Sequence, residues 1–207
     1  MAGDRHARAQ RMANVRGCDA ASFTVTHRRK PLESPASTDD LAHAVDRLQY
    51  ELGEGPCVDA AWEERIVHSG DLTADACWPA WGPRAVGDQG VHSVLCLQLF
   101  THSDVLGALN LYSRAPQAFD REALEDGAAL AAHVAVAVAA SQDRADLRAA
   151  IDTRTVIGQA TGILMERYGL DASKAFALLT RVSSQSNVRV RDLAQELVDT
   201  GQIAAIE

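Results

Sequence analysis

The sequence predicts a mixed α and β domain followed by a small all-α bundle of three helices. Three observations predict it. All three tryptophans and all six prolines of the 207 residues fall before residue 117, so turn and aromatic chemistry is confined to the front of the chain. Two apolar runs, Val94–Phe100 and Val105–Tyr112, flank Thr101-His102-Ser103-Asp104 in the manner of a hairpin. Beyond about Phe119 there is no proline, and apolar residues recur at helical spacing to the end.

Taken in order, Ser22–Thr26 alternates Phe23 and Val25 with hydroxyl residues, a half-buried strand pattern. Arg28-Arg29-Lys30-Pro31 reads as a solvated turn. Asp40–Leu52 carries Leu41, Val45, Leu48 and Leu52 at helical spacing, with Asp39 or Asp40 as N-cap and Gly53 as the stop. Gly53-Glu54-Gly55-Pro56 is too short and too acidic to cradle phosphate and reads as a turn. Arg65–His68 is a short strand. Neither hairpin strand alternates cleanly, so both faces of the sheet are expected to be covered.

From Phe119 a helix rich in Ala and Val begins, and Ala128, Ala131, Ala132, Ala135 and Ala139 would let a second helix approach closely. That helix either packs on the sheet or joins two copies of the chain. Asp143–Leu147 is polar but contains nothing that breaks a helix, so the two halves are expected to be joined by helix. Ile157, Ala160, Leu164 and Tyr168 share one helical face, with Gly169 as the stop. Asp171 caps a second helix carrying Ala175, Leu178, Leu179 and Val182, and Ser183–Asn187 reads as a polar turn. A third helix places Val190, Leu193, Ala194, Leu197 and Val198 inward. Such a bundle is too small for an enzyme core.

Composition excludes several functions. With 47% apolar and 23% charged residues the chain can bury a core, and no disorder signature is present. The longest apolar stretch, about 128–140 and interrupted by His133, is shorter than the ~20 residues of a membrane span, and no secretory signal opens the chain, so a cytoplasmic protein without a membrane partner is expected. The net charge is −8, but it is uneven: residues 41–144 hold six Lys/Arg against fifteen Asp/Glu, whereas residues 145–207 hold seven against eight. Nucleic acid could be met only by a local basic face, since phosphate contacts supply most non-specific affinity.

Catalytic motifs are absent. There is no Gly-x-Ser-x-Gly elbow, no Walker phosphate loop and no His-Glu-x-x-His helix. The seven histidines show no ligand spacing, and His133 on an apolar helix suits a core or interface place better than a haem ligand. Cys18, Cys57, Cys77 and Cys96 are widely spaced, which argues against a zinc ribbon or disulfide scaffold and for a reducing compartment, with Cys57 and Cys96 read as buried inert thiols. Trp62, Trp78 and Trp81 cluster with Asp71 and Asp75 ahead of the hairpin. Together with Cys96 they either wall a small-molecule pocket over the sheet or plug it.

Two stretches resemble known modules. Gly53-Glu54-Gly55-Pro56-Cys57, Asp71-Leu72, Asp75, Trp78-Pro79, Ser93-Val94-Leu95 and Gly107–Ser113 resemble a GAF domain of the actinobacterial type over roughly residues 18–142. The resemblance implies a PAS-like antiparallel sheet with flanking helices, dimerising through its terminal helices. Arg154–Ala160, Gly162-Ile163-Leu164-Met165, Ala175-Phe176, Ser183, Asn187 and Arg191-Asp192-Leu193-Ala194 resemble an ANTAR domain, a three-helix RNA-binding module that acts in transcription antitermination on paired stem-loops. Two departures stand out. Thr161 occupies the place of a usual lysine, and Ser184 interrupts the usual Ser-Gln pair, putting the glutamine at Gln185.

The resemblance implies an N-terminal helix or arm at 1–17, a GAF sensor domain at 18–142 and an ANTAR domain at 143–207. It implies a non-enzymatic, homodimeric regulator of transcription antitermination that binds RNA stem-loops, with a small-molecule effector of unknown identity and no cofactor or metal. Arg154, Arg167, Lys174, Arg181, Arg189 and Arg191 would supply charge, and Gln159, Ser183, Gln185 and Asn187 base or sugar contacts. No receiver-type acidic pair with a downstream lysine is present, and the chain has only Lys30 and Lys174. The alternative is a GAF small-molecule or redox sensor whose helical tail binds DNA or a protein partner.

Overall fold

The computed structural model describes residues 15–26, 32–62, 65–102 and 104–202. The Arg28–Pro31 turn, His6, His27 and residues 1–14 of the N-terminal arm lie outside them. Two compact units divide the chain, residues 1–140 and 141–207.

The first unit is built on a five-stranded antiparallel sheet of order β2-β1-β5-β4-β3. Its strands are β1 (Ala20–Val25), β2 (Glu33–Ser37), β3 (Ile66–Ser69), β4 (Ser93–Phe100) and β5 (Val105–Ser113). The β4–β5 hairpin is as the sequence predicts, closed by Thr101 N–H donating to the Asp104 carbonyl at 2.8 Å. Strand β2 was not anticipated. Its sequence, Glu-Ser-Pro-Ala-Ser, lacks β-branched residues, and Pro35 confines it to the sheet's edge, where one side needs no hydrogen bonds.

Three helices cover one face: α1 (Asp40–Leu52), α2 (Pro56–Trp62) and α3 (Gly82–Gln89). Asp39 caps α1 by accepting from Ala42 N–H at 3.0 Å, and Gly53 ends it in the left-handed conformation. The buried side of α1 is rotated from the predicted one: Ala42, Val45, Asp46, Leu48 and Gln49 point inward, while Leu52 is exposed. The Gly53–Pro56 turn leads directly into α2, with Pro56 at its first position, where a missing N–H costs nothing. Gly55, at φ 142°, is required twice over, since a Cβ there would also lie 2.4 Å from Gln49 Oε1. Glu54 Oε1 accepts from Ala80 and Trp81 N–H at 2.8 and 2.9 Å, holding the turn that enters α3.

Helix α4 (Arg121–Tyr168) begins in the first unit and ends in the second, with no break across Asp143–Leu147. Its Ala123, Ala131 and Ala135 bury against Leu95, Leu97, Leu109 and Leu111 on the sheet's second face. Gly127 brings the helix closest, for a Cβ there would stand 3.0 Å from Leu97 Cδ1. By length and composition alone α4 could cross a membrane, a test that the core helices of soluble proteins also pass.

The second unit packs the end of α4 against α5 (Ala172–Ser186) and α6 (Val190–Thr200). Ala160, Leu164, Ala175, Leu179, Val182, Leu193, Ala194 and Leu197 form its core. Asp171 caps α5 by accepting from Lys174 N–H at 2.8 Å. Two predictions need correction. Tyr168 is exposed and not part of the buried face. Ser183–Ser186 are the last turn of α5 and not a loop: the Ser184 and Ser186 hydroxyls donate back to the Thr180 and Val182 carbonyls, so the helix absorbs their polarity.

Candidate functional site

In the helical unit every basic side chain named above is exposed: Arg154, Arg167, Lys174, Arg181, Arg189 and Arg191. Gln159, Gln185 and Asn187 are exposed too, and Ser183 is half-buried. These residues do not converge on one spot. Arg189 is the N-cap of α6 and Arg191 lies in its first turn. The Arg167 guanidinium stands 3.9 Å from where a Cβ at Gly201 would be, at the C-terminal end of α6. An eleven-residue helix is about 16 Å long, so the two groups sit at opposite ends.

The junction between α5 and α6 is held by side chains. Asn187 takes the left-handed conformation at φ 55° that ends α5, a role Asn fills better than other residues with a Cβ. Ser183 Oγ donates to the Val188 carbonyl at 2.6 Å. Both residues thus shape the turn that presents Arg189 and Arg191. Thr161, where the resemblance implies lysine, is half-buried and donates to the Ile157 carbonyl at 2.7 Å. Lys174 Nζ lies 3.0 Å from Asp171 Oδ2, and hydrogen bonds from Ser173 and Lys174 hold the Asp171 carboxyl below the ordinary range.

In the sheet unit the tryptophans have different fates. Trp81 is fully buried, Trp78 nearly so, and the rings meet edge to face at 5.9 Å. Trp78 Nε1 donates to Asp59 at 2.8 Å. Trp62 stands exposed at the end of α2. Asp71 accepts from Thr73 N–H and Oγ1 at 3.0 and 2.7 Å, and Asp75 from Cys77 N–H at 3.0 Å, so both carboxylates order their own loop. Cys96 is fully buried on the helix-covered face.

Sequence reasoning missed a buried polar layer between α1 and the sheet. Asp46 is fully buried and accepts from Ser34 Oγ and Tyr112 OH, each at 2.5 Å, and from Asn110 Nδ2 at 3.2 Å. Tyr112 OH in turn accepts from Gln49 Nε2 at 2.9 Å, and Gln49 Oε1 accepts from Cys57 N–H at 2.7 Å. Tyr50 OH shares hydrogen bonds with Ser34 and Thr24, and Thr24 Oγ1 with Cys57 Sγ. Burial drives the Asp46 carboxyl above its ordinary value against these donors. Burial, with Asp46 adding to it, pushes the Cys57 thiol up to about 12, and burial raises Cys96 well above the ordinary range. Such thiols are poor nucleophiles. Asn110 Oδ1 and Trp81 Nε1 are buried without a hydrogen-bond partner. The legible signal was Asp46 and Gln49 at i and i+3, on the side of α1 that also carries Ala42.

Comparison with known proteins places this geometry. A family model described as "GAF domain" matches residues 7–139, and one described as "ANTAR domain" matches residues 145–198. No curated protein matches the chain. Among solved structures, a domain of a sensor histidine kinase from Sinorhizobium meliloti 1021 is 16% identical, with a TM-score of 0.58 over 72% of this chain and 96% of that one. A GAF3 domain in its photoproduct state from Synechocystis sp. PCC6803 is 14% identical, with a TM-score of 0.55 over 70% and 98%. The type II free methionine-R-sulfoxide reductase of Thermoplasma acidophilum is 19% identical, with a TM-score of 0.51 over 66% and 90%. At such identities these likenesses show the fold alone. The chain belongs to the GAF family and joins its GAF domain to a following ANTAR domain, the architecture of a GAF–ANTAR regulator.

Proposed function

We propose that this protein is an RNA-binding regulator that acts in transcription antitermination by engaging stem-loops in nascent transcripts. The observation that carries the reading is the ANTAR match over a three-helix bundle whose arginines and lysine all face solvent. Folded RNA is read by shape, phosphate contacts and bonds to unpaired bases, which an exposed set of cations and amides can supply. Arg189 and Arg191, fixed by the Ser183 and Asn187 turn, are the contacts we favour most, with Arg154, Lys174, Arg181, Gln159 and Gln185 extending the surface.

Two copies of the chain pair along α4 in this reading. Leu147 and Ile151, one turn apart on α4, are both more than half exposed. Two bundles in one assembly would raise affinity for two stem-loops through effective concentration. The GAF domain serves as the sensor or the dimer scaffold. An effector would reach Cys96 or Trp81 only by parting the covering helices, because both side chains are fully buried.

The test is read-through of a terminator preceded by paired stem-loops, in transcription with purified polymerase and the full chain. Increased read-through that requires both stem-loops supports the reading. Unchanged termination at saturating protein contradicts it.

A further inference from the structure

This inference rests on the RNA-binding reading and names the side chains that would grip a single nucleotide. Helix α5 buries Ala175, Leu179 and Val182 and turns its opposite side to solvent. One edge of that side carries Phe176, 46% exposed. The other edge, nearly half a turn round, carries Lys174 and Arg181, which share a side because they are seven residues apart. Between the edges run Ser173, Ala177, Thr180 and Ser184. All are small, and the hydroxyls bond within the helix and its cap: Ser173 to Asp171, Thr180 to the Ala177 carbonyl and Ser184 to the Thr180 carbonyl. The residues of α5 beside Phe176 on that side are small, and nearly half of Phe176 stays open to solvent.

A lone exposed phenylalanine is ordinary. What distinguishes this one is the cationic edge one helix-width away across a floor of small residues. A nucleotide has the complementary form, a flat apolar base joined to an anionic phosphate. We propose that Phe176 is the stacking platform for an unpaired base of an RNA loop, and that Lys174 and Arg181 hold the adjoining phosphate. The ion pair between Lys174 and Asp171 does not oppose this, for both groups are largely exposed and such pairs contribute little. Paired bases in a stem offer no free face to the ring, so the platform selects loops over stems.

The experiment is a titration of the full chain with a fluorescent RNA hairpin and with versions made abasic at each loop position in turn. Phe176→Ala is expected to weaken binding roughly 5- to 100-fold, and Phe176→Trp to preserve it. One abasic position is expected to weaken wild type and leave Phe176→Ala unaffected, whereas Lys174→Ala with Arg181→Ala lowers the salt dependence and leaves that abasic penalty in place. Circular dichroism melting verifies that each variant is folded. Wild-type affinity in Phe176→Ala, or an undiminished abasic penalty in that variant, overturns the platform while leaving RNA binding intact. Failure of the wild type to bind any hairpin removes the RNA reading itself, and the platform with it.

Discussion

The hydroxyl of Ser183 donates to the main-chain carbonyl of Val188 at 2.6 Å, reaching from the last turn of α5 across the left-handed Asn187 to the approach of α6. Replacing Ser183 by alanine leaves that carbonyl to solvent and loosens the turn that aims Arg189 and Arg191. The expected cost is about 0.5–1.5 kcal/mol of stability. Hairpin affinity should fall although no charge is lost. Thermal melting and RNA titration of Ser183→Ala check this; unchanged affinity would assign the hydroxyl no role in presenting the arginines.

Arg167 and Arg191 should separate by what they affect. Arg167, beside the C-terminal end of α6, meets the negative end of that helix, where a cation contributes about 0.3–1 kcal/mol. Arg167→Ala is therefore expected to lower the melting temperature more than it lowers RNA affinity. Arg189→Ala with Arg191→Ala should leave melting nearly unchanged and reduce the salt slope of binding by about two. The opposite pattern would move the RNA contact to the far end of the bundle.

Asp46 gives the sheet domain a pH dependence of definite sign. Its carboxyl is raised in the folded state by burial, so between its unfolded and folded values the native protein holds a proton that the unfolded chain has released. The stability this contributes is complete below the unfolded pKa and is lost as pH rises through the folded one. Asp46→Asn, which keeps the shape and cannot ionise, should flatten that fall. Melting of both proteins from acid to neutral pH measures it, and parallel curves would contradict it.

Cys57 and Cys96 should be silent toward iodoacetamide at neutral pH while the protein is folded, because both thiols are buried and held far above their ordinary pKa values. Mass spectrometry before and after denaturation tests this. Rapid alkylation of either thiol in the native state would revive the redox-sensor alternative.

Much of the architecture could be read from residue patterns. The hairpin, α1 with its Asp39 cap, and the helices α5 and α6 follow from periodicity and capping chemistry, which act locally. Strand β2 and helices α2 and α3 could not be read so, because Pro35, Pro56 and the Gly82-Pro83 pair suit several local structures and only tertiary pairing decides among them. The polar layer was hidden for the opposite reason. Asp46, Gln49 and Asn110 look like solvent residues one at a time, and only the sheet brings their partners together. Exposure was readable for the arginines, but their division between the two ends of α6 required the packing of the bundle.

Equilibrium binding of the full chain to a stem-loop RNA at several salt concentrations, beside duplex DNA of the same length and charge, tests the central claim most directly. The account predicts tighter binding to the hairpin than to the duplex, with affinity falling steeply as salt rises. Equal affinity for the two, or no binding even at low salt, would contradict it.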